Sequence, residues 1–220
     1  MALNLVILGA PGSGKGTYAS RVAGRFGIPA VSTGEILRQA MQSGTELGRE
    51  VRAFVEGGRL VPDPVMAAVL RERLGMADCG KGFILDGYPR TLEQAEELDR
   101  ALRERGGCVS LAIAVEASEE LIMGRLSGRR SCRLCGAIYN LNTMKPAREG
   151  KCDKCGGDLV VRPDDETGTI RKRLEVYRAA SAPLIERYRA SGVLRQVNSD
   201  APVEEVVESI VGCVRQVTGS

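Results

Sequence analysis

The 220-residue chain contains no histidine and no tryptophan, and only three phenylalanines and five tyrosines. Without histidine, any catalytic scheme that relies on an imidazole base is excluded. With so few aromatics there is little to stack on nucleic-acid bases. A net charge of +3 is too small to argue for a polyanionic partner. No run approaches the ~18 apolar residues that a membrane helix requires, so no membrane partner is expected. The opening "MALNLVIL" has no basic leader. A secretion signal is therefore not expected, and the cytoplasm is the expected location. A reducing compartment disfavours disulfides among the seven cysteines. What is present is an ordinary folded composition, 43% hydrophobic and 27% charged, long enough for one core with small inserted units. Arginine outnumbers lysine, which suits forked contacts to phosphate, although codon usage would produce the same bias.

Short apolar runs at 3–8, 28–32, 82–86, 109–115 and 192–197 read as strands covered on both faces. Helical patterns separate them. One runs from about Gly14 to Arg25. Another is expected to open with Asp63 as N-cap and Pro64 in the first turn. A third opens with Ser118, followed by Glu119 and Glu120 at the positive end of the helix dipole. The last carries an apolar stripe at Val203, Val206, Val207, Ile210, Val211 and Val214. This alternation predicts an α/β fold with a doubly wound, five-stranded parallel sheet. Two stretches break the rhythm: 32–61 adds helices, and 128–165 has poor helical periodicity and holds four cysteines. The expected division is a core of 1–31, 62–127 and 166–220, a mobile helical arm and a small inserted lid.

Gly9 to Lys15 has the G-x-x-x-x-G-K spacing of a phosphate-binding loop, with an apolar strand before it and a helix after it. Glycines let successive N–H groups turn inward on an anion, and the helix adds its dipole. Lys15 supplies a full charge to the outer phosphates. The next residue is Gly16, with the hydroxyl one place late at Thr17, so a residue beside Lys15 offers no Mg²⁺ ligand. Mg²⁺ keeps several waters and leans on the phosphates, so a carboxylate elsewhere would suffice. Asp86, at the end of a buried strand, is the candidate. Its competing role is a turn aspartate before Gly87.

Cys132-x₂-Cys135 and Cys152-x₂-Cys155 are sixteen residues apart, the spacing of a closed tetrahedral Cys₄ zinc site. Four thiolates leave no open position, so zinc here would be a structural staple for a lid too small to hold by core burial. Two disulfides are the competing arrangement. Cys79, Cys108 and Cys213 lie singly in or beside apolar patterns, and no chemical role is assigned to them.

The stretches "GAPGSGKGT", "STGEILR", "DGYPRT", "GRR" and "RPDDETGTIRKRL", in this order, resemble the signatures of adenylate kinases, nucleoside monophosphate kinases, in the long form whose lid carries a zinc-binding Cys₄ knuckle. The likeness runs from about residue 5 to beyond 200, and the family shares Gly at the position of Gly16. The resemblance implies a P-loop NTPase type of sheet, a monomer, and the reaction Mg·ATP + AMP = 2 ADP by direct in-line transfer. It implies ATP binding by Gly12, Ser13, Gly14, Lys15, Gly16 and Thr17, with Arg125 stacked on the base, Arg129 on the phosphates, Ile138 and Tyr139 closing over the base, and Ala201 nearby. It implies AMP binding by Thr33, Arg38, the main chain of Arg59, Leu60 and Val61, and by Gly87, Arg90 and Gln94. Arg162 and Arg173 would neutralise charge between the nucleotides, Asp164 and Asp165 would steer the lid arginines, and Asp86 would organise the Mg²⁺ waters. Lys15, Arg90, Arg129, Arg162, Arg173, Asp164 and Asp165 form the implied catalytic set.

An AMP phosphate is already an anionic nucleophile and needs no base, so a chain without histidine loses nothing. Some residues keep a second reading. Thr91 and Gln94 form T-x-x-Q, a capping box that explains Gln94 without any base. Arg171 and Lys172 read as solvated. The sequence departs from the family at Asn140, where relatives often carry His, at Pro163 and at Gly168, and Tyr88–Pro89 is a candidate cis bond. One alternative is a kinase for UMP, CMP or GMP, against which Thr33 and Gln94 argue. A more distant one is a zinc-ribbon regulator of nucleic acid, which leaves Arg38, Arg90, Arg162 and Arg173 without work.

Overall fold

The computed structural model describes residues 2–219. Along the described chain run strands β1 (Leu3–Gly9), β2 (Ala30–Ser32), β3 (Gly82–Asp86), β4 (Leu111–Glu116), β5 (Arg129–Cys132), β6 (Ile138–Asn140), β7 (Leu159–Val160) and β8 (Leu194–Asn198). Five of them form a parallel sheet in the order β2-β3-β1-β4-β8, and β6-β5-β7 form a small antiparallel one. The helices are α1 (Lys15–Phe26), α2 (Thr33–Gln42), α3 (Glu46–Glu56), α4 (Asp63–Leu74), α5 (Leu92–Glu104), α6 (Glu119–Gly128), α7 (Thr167–Ala190) and α8 (Val203–Thr218). None is long and apolar enough to cross a membrane.

The apolar runs are continuous because both faces of the sheet are covered. Side chains alternate along a strand, so Val6, Leu8, Phe83 and Leu85 face one core while Leu5, Ile7 and Ile84 face the other. The first core is closed by α2 through α5 and the end of α7, the second by α1 and α8. The expected stripe on α8 is buried from Val206 to Val214. Register then positions the site. β1 sets Ile7 beside Asp86, and β2 sets Ser32 beside the same residue. The carboxyl ends of β1, β2 and β3 therefore meet at one crevice.

Between β2 and α4, α2 and α3 form the helical arm. Its Leu37 and Val51 join the first core, with Ile36, Met41, Leu47 and Phe54 packed against it. Between α6 and α7 lies the lid, whose own buried cluster is only Cys132, Tyr139 and Cys152, with Ala137 and Leu159 at its edge. Its strands are two to four residues long, too short to leave a periodic signature in the sequence.

Two helix starts test the capping expectations. Ser118 accepts from Leu121 N at 3.4 Å and caps α6 as expected. Asp63 does not cap α4: Pro62 occupies the cap position, and Asp63 is the first helical residue. Its carboxylate is engaged by Thr91 and Gln94 instead. Tyr88–Pro89 is cis.

Candidate functional site

The phosphate loop joins β1 to α1. Gly12 and Gly14 adopt φ of 85° and 97°, values open to glycine at no cost, and Lys15 folds back to donate to Ala10 O at 2.8 Å. A Cβ at Gly16 would stand 3.1 Å from Asp86 Oδ2. The small residue next to Lys15 thus lets the strand-end carboxylate come up against the loop. Asp86 also accepts from Ser32 Oγ at 3.3 Å. Ser13 Oγ is buried without a partner among the described residues.

Positive charge gathers around Lys15. Burial lowers its pKa from 10.5 to about 8; Asp86 opposes that shift, and Arg90, Arg173 and Arg129 add to it. Arg38 is likewise lowered by desolvation, against the pull of Asp164. Arg90 is open to solvent in the crevice, yet the surrounding protein lowers it, with Arg173 next in effect. Arg162 is only 8% exposed, and its Nε has no partner among the described residues. Desolvation first, then Arg38 and Arg129, push it down to about 9, still cationic at neutral pH. These are cations assembled at a cost, in want of anions.

Two buried carboxylates hold part of the set in place. Arg129 grips Asp165 in a bidentate fork, Nε to Oδ2 at 2.7 Å. Arg173 Nη1 lies 3.0 Å from Asp164 Oδ2 and 3.1 Å from Asp165 Oδ1. Burial would raise the Asp164 carboxyl, but Arg173, Arg38, Arg129 and Arg162 together pull it below the ordinary carboxylate value.

Two clefts border the helical arm. One, of about 580 Å³, is lined by Thr33, Arg38, Arg59, Leu60, Val61, Gly87, Arg90, Gln94 and Arg173, which brings together every expected acceptor residue but Arg162. Thr33 is buried and donates to Gly87 O at 3.0 Å. Arg162 lines the adjoining cleft of about 460 Å³, between Glu35, Arg38 and Gln39 of the arm and Cys135 and Gly136 of the lid. Arm and lid thus face one another across the crevice.

On the donor side the side chains sit less simply. Arg125 donates to Ser13 O at 3.0 Å, Ser199 Oγ at 2.7 Å and Ser199 O at 3.0 Å, clamping the loop to the segment after β8. Ser199 and its contact with Tyr18 at 2.8 Å belong to that clamp and had no sequence signal, lying more than 180 residues from Ser13 and Tyr18. Ala201 is half-buried against the second core. Ile138 faces solvent, whereas the Tyr139 ring turns into the lid, its hydroxyl accepting from Asp153 N at 2.8 Å and lying 3.5 Å from Cys152 Sγ. Gln94 also departs from the capping box: Thr91 accepts from Gln94 N at 3.1 Å, but the Gln94 side chain accepts from Arg90 N rather than Thr91 N.

The four lid thiols lie within 4.8 Å of one another, with Cys132–Cys155 at 3.4 Å and Cys135–Cys152 at 3.6 Å between sulfurs. Zn–S bonds of ~2.3 Å in a tetrahedron set sulfurs about 3.8 Å apart, so the quartet fits zinc. All seven cysteines are free thiols, and none of the four is paired as a disulfide. Cys132 Sγ accepts from Leu134 N at 3.4 Å and Cys135 N at 3.5 Å, the amide contacts that favour a thiolate.

Comparison with known proteins gives the same answer. The adenylate kinase family model matches residues 7–193. The chain is 49% identical to an adenylate kinase from Thermodesulfovibrio yellowstonii over 94% of this chain and 97% of that one. It is 46% identical to adenylate kinases from Syntrophomonas wolfei, over 94% of this chain and all of that one, and from Archaeoglobus fulgidus, over 98% and 99%. With a phosphate loop at the head of a parallel sheet, two clefts wired with arginine, and full-length identity of this order, the chain belongs to the adenylate kinase family.

Proposed function

We propose a division of labour for the reaction ATP + AMP = 2 ADP, which this adenylate kinase catalyses. The core is assigned to 1–31, 62–127 and 166–220, the acceptor arm to 32–61 and the lid to 128–165. AMP occupies the cleft lined by Thr33 and Arg90, its base near Thr33, Gln94 and the main chain of Arg59 to Val61, its phosphate on Arg38 and Arg90. ATP lies over Gly12 to Thr17, with Arg125, Ile138, Tyr139 and Ala201 around its base. An oxygen of the AMP phosphate attacks the γ-phosphorus in line as the β–γ bridging bond breaks and the electron pair leaves on the β-phosphate. Lys15, Arg90, Arg129, Arg162 and Arg173 neutralise the charge that gathers between the two nucleotides. Asp164 and Asp165 hold two of the surrounding cations, Arg129 and Arg173, before nucleotide arrives. The observation that carries this reading is Arg162, buried between arm and lid with its Nε unpartnered among the described residues, which suits a cation that works toward an anion in that crevice.

Mg²⁺, which the family uses with ATP, supplies further charge neutralisation on the transferring group, and Asp86 is placed to hold its waters. Zinc on Cys132, Cys135, Cys152 and Cys155 is structural, and a site built on thiolates suits the reducing cytoplasm. Arm and lid exclude water, so the γ-phosphoryl passes to AMP and not to solvent. The working unit is a monomer, and nucleic acid is not a partner. ³¹P NMR with Mg·ATP and each of AMP, CMP, UMP and GMP tests the assignment. ADP should form fastest with AMP and not from ATP alone; faster transfer to another monophosphate would move the acceptor assignment.

A further inference from the structure

Gln94 is 3% exposed, and the two ends of its side-chain amide are not interchangeable. Its Oε1 accepts from Arg90 N at 2.7 Å, and its Nε2 donates to Asp63 Oδ1 at 2.7 Å. A main-chain N–H only donates and a carboxylate accepts, so these partners fix which end of the amide is oxygen. The other Asp63 oxygen accepts from Thr91 Oγ1 at 2.9 Å, which ties the start of α4 to the cap of α5. A primary amide has two N–H groups and two oxygen lone pairs. One of each is used, leaving one donor and one acceptor side by side on a residue that lines the acceptor cleft.

We propose that Asp63 is a positioning residue that sets base discrimination at the acceptor site, by holding the Gln94 amide in one orientation. The proposal rests on the reading that this cleft takes the monophosphate. Adenine offers an amino donor at C6 beside the N1 acceptor, and cytosine offers the same order at N4 and N3. Guanine and uracil offer the reverse, a carbonyl oxygen beside a ring N–H. A fixed amide therefore pairs with AMP or CMP in a given base orientation and leaves both its groups unpaired against GMP or UMP. Unpaired buried polar groups are what make hydrogen-bonded pockets selective. The main chain of Arg90 holds only the oxygen end, so without Asp63 the nitrogen end has no fixed partner.

The test is kcat/KM for AMP, CMP, GMP and UMP at saturating Mg·ATP in wild type, Asp63→Ala, Asp63→Asn and Thr91→Val. Asp63→Ala should narrow the AMP:GMP and AMP:UMP ratios about tenfold and leave AMP:CMP within about twofold. Asp63→Asn, which keeps an acceptor oxygen, should restore most of the discrimination. Thr91→Val removes the Thr91 link to Asp63 and the Thr91 cap on Gln94 N but leaves the Asp63–Gln94 side-chain bond, so its ratios should match wild type. If Asp63→Ala does not fold, Asp63→Glu serves in its place, since the longer carboxylate displaces the amide while keeping an acceptor for Thr91. Unchanged ratios, a CMP ratio that moves with the other two, or the same narrowing in Thr91→Val would each overturn the proposal. Wild-type enzyme that prefers another monophosphate over AMP would instead overturn the acceptor reading beneath it.

Discussion

In the proposed function the arm and the lid do comparable work, each covering one nucleotide, yet they are held by different physics. The arm is an extension of the core. Leu37 and Val51 lie in the same apolar cluster as Val6, Phe83 and Leu98, so the sheet and the arm share one interior. The lid has no such connection. Its buried cluster is two cysteines and a tyrosine, and it leaves Leu134, Ile138, Leu141 and Met144 exposed. About 35 residues cannot bury enough apolar surface to fold alone, and in the proposed function zinc on the four thiols closes the gap. Among the described residues its ties to the rest of the molecule include polar ones: Arg173 on Asp164 and Asp165, and the Asn140 side chain donating to Arg125 O at 2.9 Å. A segment fastened by a local staple and a few polar hinges can swing as a unit without disturbing the core.

The sharpest way to break this contrast is to remove two lid ligands. Cys132→Ser with Cys135→Ser should forfeit roughly 10 kcal/mol of metal-derived folding energy, confined to the lid. Calorimetry should then show the core transition little changed while ADP formation collapses; a fall in the core transition would mean that the lid is not separate. Leu37→Ala is the mirror experiment. It opens a cavity in the shared interior and should cost about 3 kcal/mol of global stability, read as a shift of the single core transition. A loss confined to the arm would show that it, too, is an independent unit.

The smallest expected effect is a pH dependence that belongs to the core alone. Lys15 is depressed to about 8 in the free protein, against 10.5 for an unburied lysine. Between these values the unfolded chain binds the proton more tightly, so the contribution of this group to stability rises with pH from about 8 to 10.5. Function runs the other way. kcat/KM for ATP should fall through about pH 8 as the free enzyme loses the Lys15 charge, while kcat stays flat further up because bound phosphate restores it. A kcat/KM profile with no break between pH 7 and 9 would contradict the burial of that ammonium.

The contrast also explains what could be read from the sequence. Apolar runs exposed the five core strands within two residues, because burial on both faces keeps 83–85 and the middle of β1 and β4 apolar, with Asp86 following where β3 reaches the crevice. The metal quartet was legible because two C-x₂-C pairs are a geometric requirement written into spacing. The strand order and the lid's antiparallel pairing were not, since backbone hydrogen bonds between strands, above all strands only two to four residues long, impose no pattern on side chains. Local capping rules also misplaced Asp63, whose partners lie 28 and 31 residues away. Arg125 shows the same limit. The resemblance implied that it stacks on the ATP base; its clamp on Ser13 and Ser199 joins segments that only the folded chain brings together.

Hydrogen exchange read by mass spectrometry, on zinc-loaded and chelated protein, tests the central claim most directly. The account predicts that peptides from 128–165 lose protection on chelation while those from 32–61 and from the strands of the parallel sheet keep theirs. Equal loss in arm and lid, or a lid that stays protected without metal, would contradict it.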